Sequence, residues 1–316
     1  MQRMMTVFWK ELADDFTSKR FVILFLVILL AVGFTIYVAA LTIKAEVAET
    51  RFVFLMLFTT SGSNLPSFFN FIFFVSFLVP IIGIALGFDA INSERTNGTL
   101  SRLLAQPIYR DSVINGKFLA GVVTIAAMLI SIILLVSGIG LNIIGVTPSA
   151  EEILRLMTFL LIGIIYGAFW LGLAMLFSIF FSRVATSALA SIAVWIFFFF
   201  FAGMLIGVIA NVIAPAGETQ LSQFQNAETQ IMLNRLSPIS LFQEATTRIL
   251  VPAATTMEQV LRLQAQAASE FYTPSPLPFG QSLLMVWPHL ISLLALTIVC
   301  FAVSYFRFMR EEIRSA

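Results

Sequence analysis

Six stretches of the chain run for more than 20 residues without Asp, Glu, Lys or Arg: Phe21–Ile43, Phe68–Phe88, Phe118–Gly145, Leu156–Phe181, Ala188–Ala214 and Ser282–Phe306. A helix needs about 20 apolar residues to cross the hydrocarbon core of a bilayer. It also satisfies its own backbone hydrogen bonds there. The pattern therefore predicts an all-α integral membrane protein with six transmembrane helices, at about 21–43, 68–88, 118–145, 156–181, 188–214 and 282–306. Strands of a membrane barrel would be about 10 residues long and would alternate, and these stretches do neither. The first stretch is too long for the core of a secretory signal, and Glu11, Asp14 and Asp15 precede it, so it is expected to remain uncleaved.

The segments between the spans are unequal. Residues 182–187 and 146–155 are short turns, 44–67 is a moderate connection, 89–117 is a substantial loop and 215–281 is the largest. Residues 307–316 form a tail. Residues 1–20 carry Met5, Phe8, Trp9, Leu12 and Phe16 at helical spacing, which predicts an amphipathic interfacial helix before the first span. Within 215–281, Ser237 and Pro238 suit a helix start with Ile239, Phe242, Ala245 and Ile249 on one face. Thr255 and Glu258 fit a capping box for a second helix to about Phe271. This predicts an outer helical segment between spans five and six.

Composition agrees: 59% of the 316 residues are hydrophobic and 11% are charged, against about 25% charged in soluble domains. The net charge of +1 conceals an asymmetry. With both termini on one side, that side holds 12 of the 18 Lys and Arg residues with 8 acidic ones, and the other side holds 6 with 9. The basic excess places both termini in the cytoplasm of a cell-membrane protein. The near balance of 18 basic and 17 acidic residues speaks against a nucleic-acid partner.

Candidate chemistry is sparse. The lone His289 cannot build a metal site by itself, and the single Cys300 lies in an apolar stretch. No G-x4-G-K-[ST] phosphate loop occurs; Gly116-Lys117 is followed by Phe118 and lacks the upstream glycine. No cofactor or metal site is expected in this chain, nor a catalytic residue. Ion-coupled carriers usually place an ionisable residue at mid-membrane, and the six spans as drawn contain no Asp, Glu, Lys or Arg. Glycines four residues apart occur as Gly83 with Gly87, Gly163 with Gly167 and Gly203 with Gly207, a spacing that lets helices approach closely.

The loop from Asp89 has the most structure in its sequence. Gly98 follows Glu94 and Arg95 and can break the descending helix. Thr99 can cap a short helix with Leu100, Leu103 and Leu104 on one face, and Pro107 ends it before Arg110 and the approach to span three. Those leucines need burial in lipid, against the N-terminal helix or in a soluble partner, and physics alone does not choose.

The pattern D-x4-E-x3-G-T-L-x2-L-L-x2-P-x2-R-x5-G-K over 89–117 resembles the loop between spans two and three of ABC-2 type transporter permeases. The opening Trp9-Lys10-Glu11-Leu12 and the six-span layout resemble the same family. Within it, the chain looks most like the permease group of nitrous oxide reductase maturation. The resemblance implies a permease dimer bound to cytoplasmic ABC ATPase subunits, which would carry ATP and Mg, and it implies export. It implies a cytoplasmic coupling helix served by Glu94, Arg95, Gly98, Thr99, Leu100, Leu103, Leu104, Pro107 and Arg110. It makes residues 1–20 the elbow helix, with Phe8, Trp9, Leu12 and Phe16, and brings Gly203 and Gly207 near the dimer seam. The competing readings are a gradient-driven secondary carrier and a non-transporting membrane relay to an extracytoplasmic partner.

Overall fold

The computed structural model describes residues 2–45, 52–61, 70–96, 98, 109–217, 219–251 and 277–310. Helix α1 spans Gln2–Thr17, and α2 spans Lys19–Ala45. They part at Ser18, whose Oγ accepts from Phe21 N at 3.2 Å. Then come α3 (Val53–Thr59), α4 (Phe71–Gly87), the short α5 (Asn92–Thr96), α6 (Arg110–Ile144) and α7 (Ala150–Phe180). Span five is α8 (Val184–Ile196), a π-helical turn at Phe197–Phe201, and α9 (Ala202–Ile213). Helices α10 (Gln220–Asn234) and α11 (Pro238–Leu250) precede the last span, α12 (Phe279–Arg310). Among the described residues, six helical stretches are long and apolar enough to cross a membrane, and no strand is present.

The helices run longer than the charge-free stretches. Helix α6 is 35 residues, about 52 Å at the α-helical rise, against a hydrocarbon core of about 30 Å. Lys117, Glu152 and Arg155 therefore lie on the spanning helices themselves, in end turns where protein partners receive them. The face carrying both chain ends is here the terminal face, and its opposite the distal face.

Helix α7 is the axis of the bundle, with 72% of its most apolar window buried, against 11% for span five. Trp170, Tyr166 and Phe159 on α7 are fully buried. Two glycine pairs explain the fit of α7 against α4 and α6. A Cβ at Gly83 would meet Gly167 O and Leu171 N, both at 2.9 Å, and one at Gly87 would meet Leu171 O at 2.8 Å. Gly163 and Gly167 face Leu129 and Ile125 of α6 in the same way. Gly203 and Gly207 differ, for a Cβ at either meets nothing within 4 Å.

On the distal face, the expected helix from Pro238 forms, capped by Ser237 Oγ. It dips into the bundle. Phe242 stacks on Tyr166 with ring centroids 4.3 Å apart, about 24 Å along α7 from Ala150 by helical rise. Gln243 Nε2 donates to Ser76 Oγ at 3.0 Å. Arg155, fully buried, fastens the dipping helix. Its Nη1 donates to Ile249 O (2.8 Å) and Ser282 Oγ (3.1 Å), and its Nη2 to Leu277 O (2.7 Å) and Glu151 Oε1 (2.8 Å). Glu152 Oε1 accepts from Phe54 N (3.0 Å) and Leu55 N (3.2 Å), which sets a carboxylate at the N-terminus of α3 where the helix dipole favours it. Helices α3 and α10 were not foreseen from the sequence. The second expected outer helix, 255–271, lies outside the described residues.

Candidate functional site

The charges of the terminal face converge where α1, α5 and α6 meet. Helix α1 has two faces. Val7 and Phe8 are buried, and with Glu11 and Asp15 they form the side turned to the protein. Met5, Trp9 and Phe16 are exposed, Trp9 at 64%. Phe8 thus belongs to the inner face and not to the outer stripe; Leu12 is half-buried.

Helix α1 lies lengthwise on α6, because Gly116 allows it. A Cβ at Gly116 would meet Val7 Cγ1 at 2.9 Å. One residue on, Lys117 has a side chain only 7% exposed, and its Nζ sits 2.8 Å from Glu11 Oε2 and 2.9 Å from Glu94 Oε1. Two turns further along α6, Thr124 Oγ1 donates to Asp15 Oδ2 at 3.2 Å. The contact positions on α1 (7, 11, 15) and on α6 (116, 117, 124) ascend together, so the two helices run alongside each other in the same sense.

The start of the 89–117 segment has three further fastenings. Arg20 Nη1 hydrogen-bonds Asp89 Oδ2. Ser178 Oγ, near the end of α7, accepts from Ile91 N (3.0 Å) and Asn92 N (3.1 Å). Thr96 Oγ1 closes the turn of α5 onto Asn92 O at 2.8 Å. The start of this segment is thereby fastened to α2 through Asp89, to α7 through Ser178 and to α6 through Glu94.

Electrostatics follow from burial. Burial disfavours the ionised form of Glu11, yet Lys117 and Lys10 more than offset it and hold its carboxyl below the ordinary value. Asp15 has no such partner. Burial raises its carboxyl to about 6, Glu11 and Asp14 add to the rise, and the Thr124 hydroxyl and Lys117 offset only part of it. Beside these groups lies a cleft of about 390 Å³, lined by the polar Asp15, Arg20 and Asp89 and the apolar Phe21, Ile82 and Met128.

Of the residues expected to couple, Glu94 and Arg95 lie on α5, and Arg110 begins α6. Gly98 has φ +66°, the left-handed conformation expected of a helix breaker. Thr99, Leu100, Leu103, Leu104 and Pro107 lie outside the described residues. Sequence reasoning gave no role to Lys117 or Glu11. The available signal was the spacing 7, 8, 11, 15 on α1, a second helical face that mixes apolar and acidic residues.

A helical membrane bundle whose basic and acidic side chains join an N-terminal helix to the segment between spans two and three can be compared with known proteins. The sequence pattern of the family described as ABC-2 family transporter protein matches residues 5–313, nearly the whole chain. The chain belongs to that family. Among curated proteins, the probable ABC transporter permease protein NosY of Pseudomonas aeruginosa is 32% identical over 127 residues, which is 39% of this chain and 45% of that protein. The match thus covers less than half of either sequence. The Glu11–Lys117–Glu94 ion-pair centre lies within the family match.

Proposed function

We propose that the chain is the membrane-spanning permease of an ABC exporter, working as a dimer and driven by ATP hydrolysed on separate cytoplasmic subunits. Its termini lie in the cytoplasm. The 89–117 segment receives the push of the ATPase, and Lys117 passes it to the elbow helix. The observation that carries this reading is the buried Lys117 shared between Glu94 on the loop side and Glu11 on α1. A single ammonium with one partner on each element makes their motions inseparable. The exposed Met5, Trp9 and Phe16 of α1 suit the headgroup level of the inner leaflet.

The direct test is co-purification with a nucleotide-binding subunit, followed by ATPase assays in nanodiscs. A stable complex whose ATPase rate depends on the permease supports the reading. Leu103→Asp and Lys117→Met should each uncouple that dependence while the chain still inserts. A chain that folds and transports without any ATPase refutes the reading.

A further inference from the structure

A second cavity, of about 540 Å³, lies on the distal side between α11, α10, the π-helical turn and the start of α4. Its volume falls within the range of small-molecule sites, about 300–1,000 Å³. Two features make its walls unlike each other. Buried positions of α11 that pack on the bundle include Leu241, Phe242, Ala245, Thr246, Ile249 and Leu250, while Ile239 is buried at the cavity wall. The opposite face, with Ser240, Gln243, Glu244, Thr247 and Arg248, lines the cavity. A helix that dips this deep therefore turns its polar side to an open cleft.

The facing wall is aromatic. The π-helical turn adds a residue to its coil, and the run Phe197–Phe201 divides across it. Phe198 and Phe199 are half-buried and line the cavity, while Phe197, Phe200 and Phe201 are exposed. Phe199 is held edge-on by Phe77 at 5.0 Å between ring centroids. Gly203 also lines the cavity, with no atom within 4 Å of where its Cβ would stand.

The charges of the polar wall are already matched. Glu244 Oε1 pairs with Arg248 Nη2 and with Arg235 Nη2 (3.3 Å), and its Oε2 lies 2.9 Å from His289 Nε2. Arg248 Nη1 donates to Met285 O at 3.3 Å. A charged ligand would have to displace one of these partners and lose its own hydration. By contrast, the Ser240 and Thr247 hydroxyls and the Asn234 amide make no side-chain hydrogen bond among the described residues.

We infer that this cavity binds an uncharged amphipath, with hydroxyl or amide groups at one end and a ring or alkyl chain at the other. The polar end meets Ser240, Thr247 and Asn234, and the apolar end lies on Phe198 and Phe199. The inference rests on the cavity and needs no ATPase.

The test uses the full chain in phosphatidylcholine nanodiscs and a monoacylglycerol carrying a diazirine in its chain. Adducts mapped by mass spectrometry are expected to concentrate on 198–203 and 240–247. Gly203→Trp should abolish them by filling the cavity. Thr247→Val, which keeps the volume, should weaken labelling by about threefold to tenfold, the worth of one hydrogen bond. Competition by hexyl glucoside from the water phase would assign the ligand to a soluble source. Labelling in the cavity that resists it would assign a bilayer source. Either result supports the site. Adducts spread over the exposed helix faces and unchanged in both variants overturn it. Equal cavity labelling by a diazirine fatty acid, an anion, overturns the selection for uncharged ligands. None of these outcomes depends on the coupling reading, which is tested by ATPase activity.

Discussion

Lys117→Met deletes the ammonium that two buried carboxylates share while keeping the length and most of the volume of the side chain. In the native protein the Lys117 side chain is 7% exposed, Glu11 17% and Glu94 13%, with contacts of 2.8 and 2.9 Å. None of the three is well placed to recover water. Breaking a buried ion pair by removing one partner costs about 3–5 kcal/mol, because the remaining charge is left without compensation. Here two carboxylates lose that shared partner and repel each other, although Glu11 keeps Lys10 Nζ at 3.0 Å. Removing one carboxylate is milder, since Lys117 keeps the other: Glu11→Gln or Glu94→Gln alone should cost about 1–3 kcal/mol. The double variant removes the last partner of a buried cation, so it should cost more than the two single changes together, by about 1–2 kcal/mol of coupling. Thermal unfolding of the purified protein in nanodiscs measures each arm of the cycle. Strictly additive single and double variants, or a Lys117→Met protein that melts with the wild type, would refute the shared-ammonium account. Lys117→Met combined with both Gln changes should recover most of the loss.

Three other outcomes follow from the geometry. Asp15→Asn should remove one pH-dependent contribution to stability: the folded protein holds the Asp15 proton to about pH 6 and the unfolded chain releases it near 3.8, so the stability that Asp15 contributes is lost as pH rises through that window, and the difference between wild-type and variant melting curves from pH 4 to 7 shows it. Gly83→Ala should destabilise by about 1–3 kcal/mol, because its Cβ meets backbone atoms at 2.9 Å. Gly207→Ala, with open space around it, should stay within about 0.5 kcal/mol in the isolated subunit, and size-exclusion profiles after heating separate the two. Arg155→Met should lower stability by about 3–5 kcal/mol, and Arg155→Lys should not restore it, because an ammonium cannot serve Ile249 O, Leu277 O and Ser282 Oγ together; thermal unfolding checks both.

The six spans were legible because length without charge is the strongest signal a membrane imposes. The start of α11 was legible for a local reason, the Ser-Pro pair at 237–238 that caps and opens a helix. What escaped were contacts between distant segments. Lys117 reads as the end of a loop until α6 is known to begin at Arg110 and to carry it inside a buried cluster. Glu11 and Asp15 read as the polar side of a surface helix, and their contacts with Lys117 and Thr124, more than 100 residues away, leave no local periodicity. The glycine pairs show the same limit. All three have one spacing, yet two are packing surfaces and the third faces open space, a difference set by the neighbours and not by the pair.

The dipping helix α11 also bears on how the chain is made. Its apolar face can dock as it emerges, since Tyr166 and Phe159 have already been synthesised. Its polar face cannot be completed so early, for His289 and the Met285 carbonyl belong to α12. The final span is therefore both a membrane anchor and the late partner that releases Glu244 and Arg248 from an unfinished fold. A chain truncated before α12 would keep the Glu244 pairs with Arg248 and Arg235 but lose the His289 and Met285 contacts that complete them.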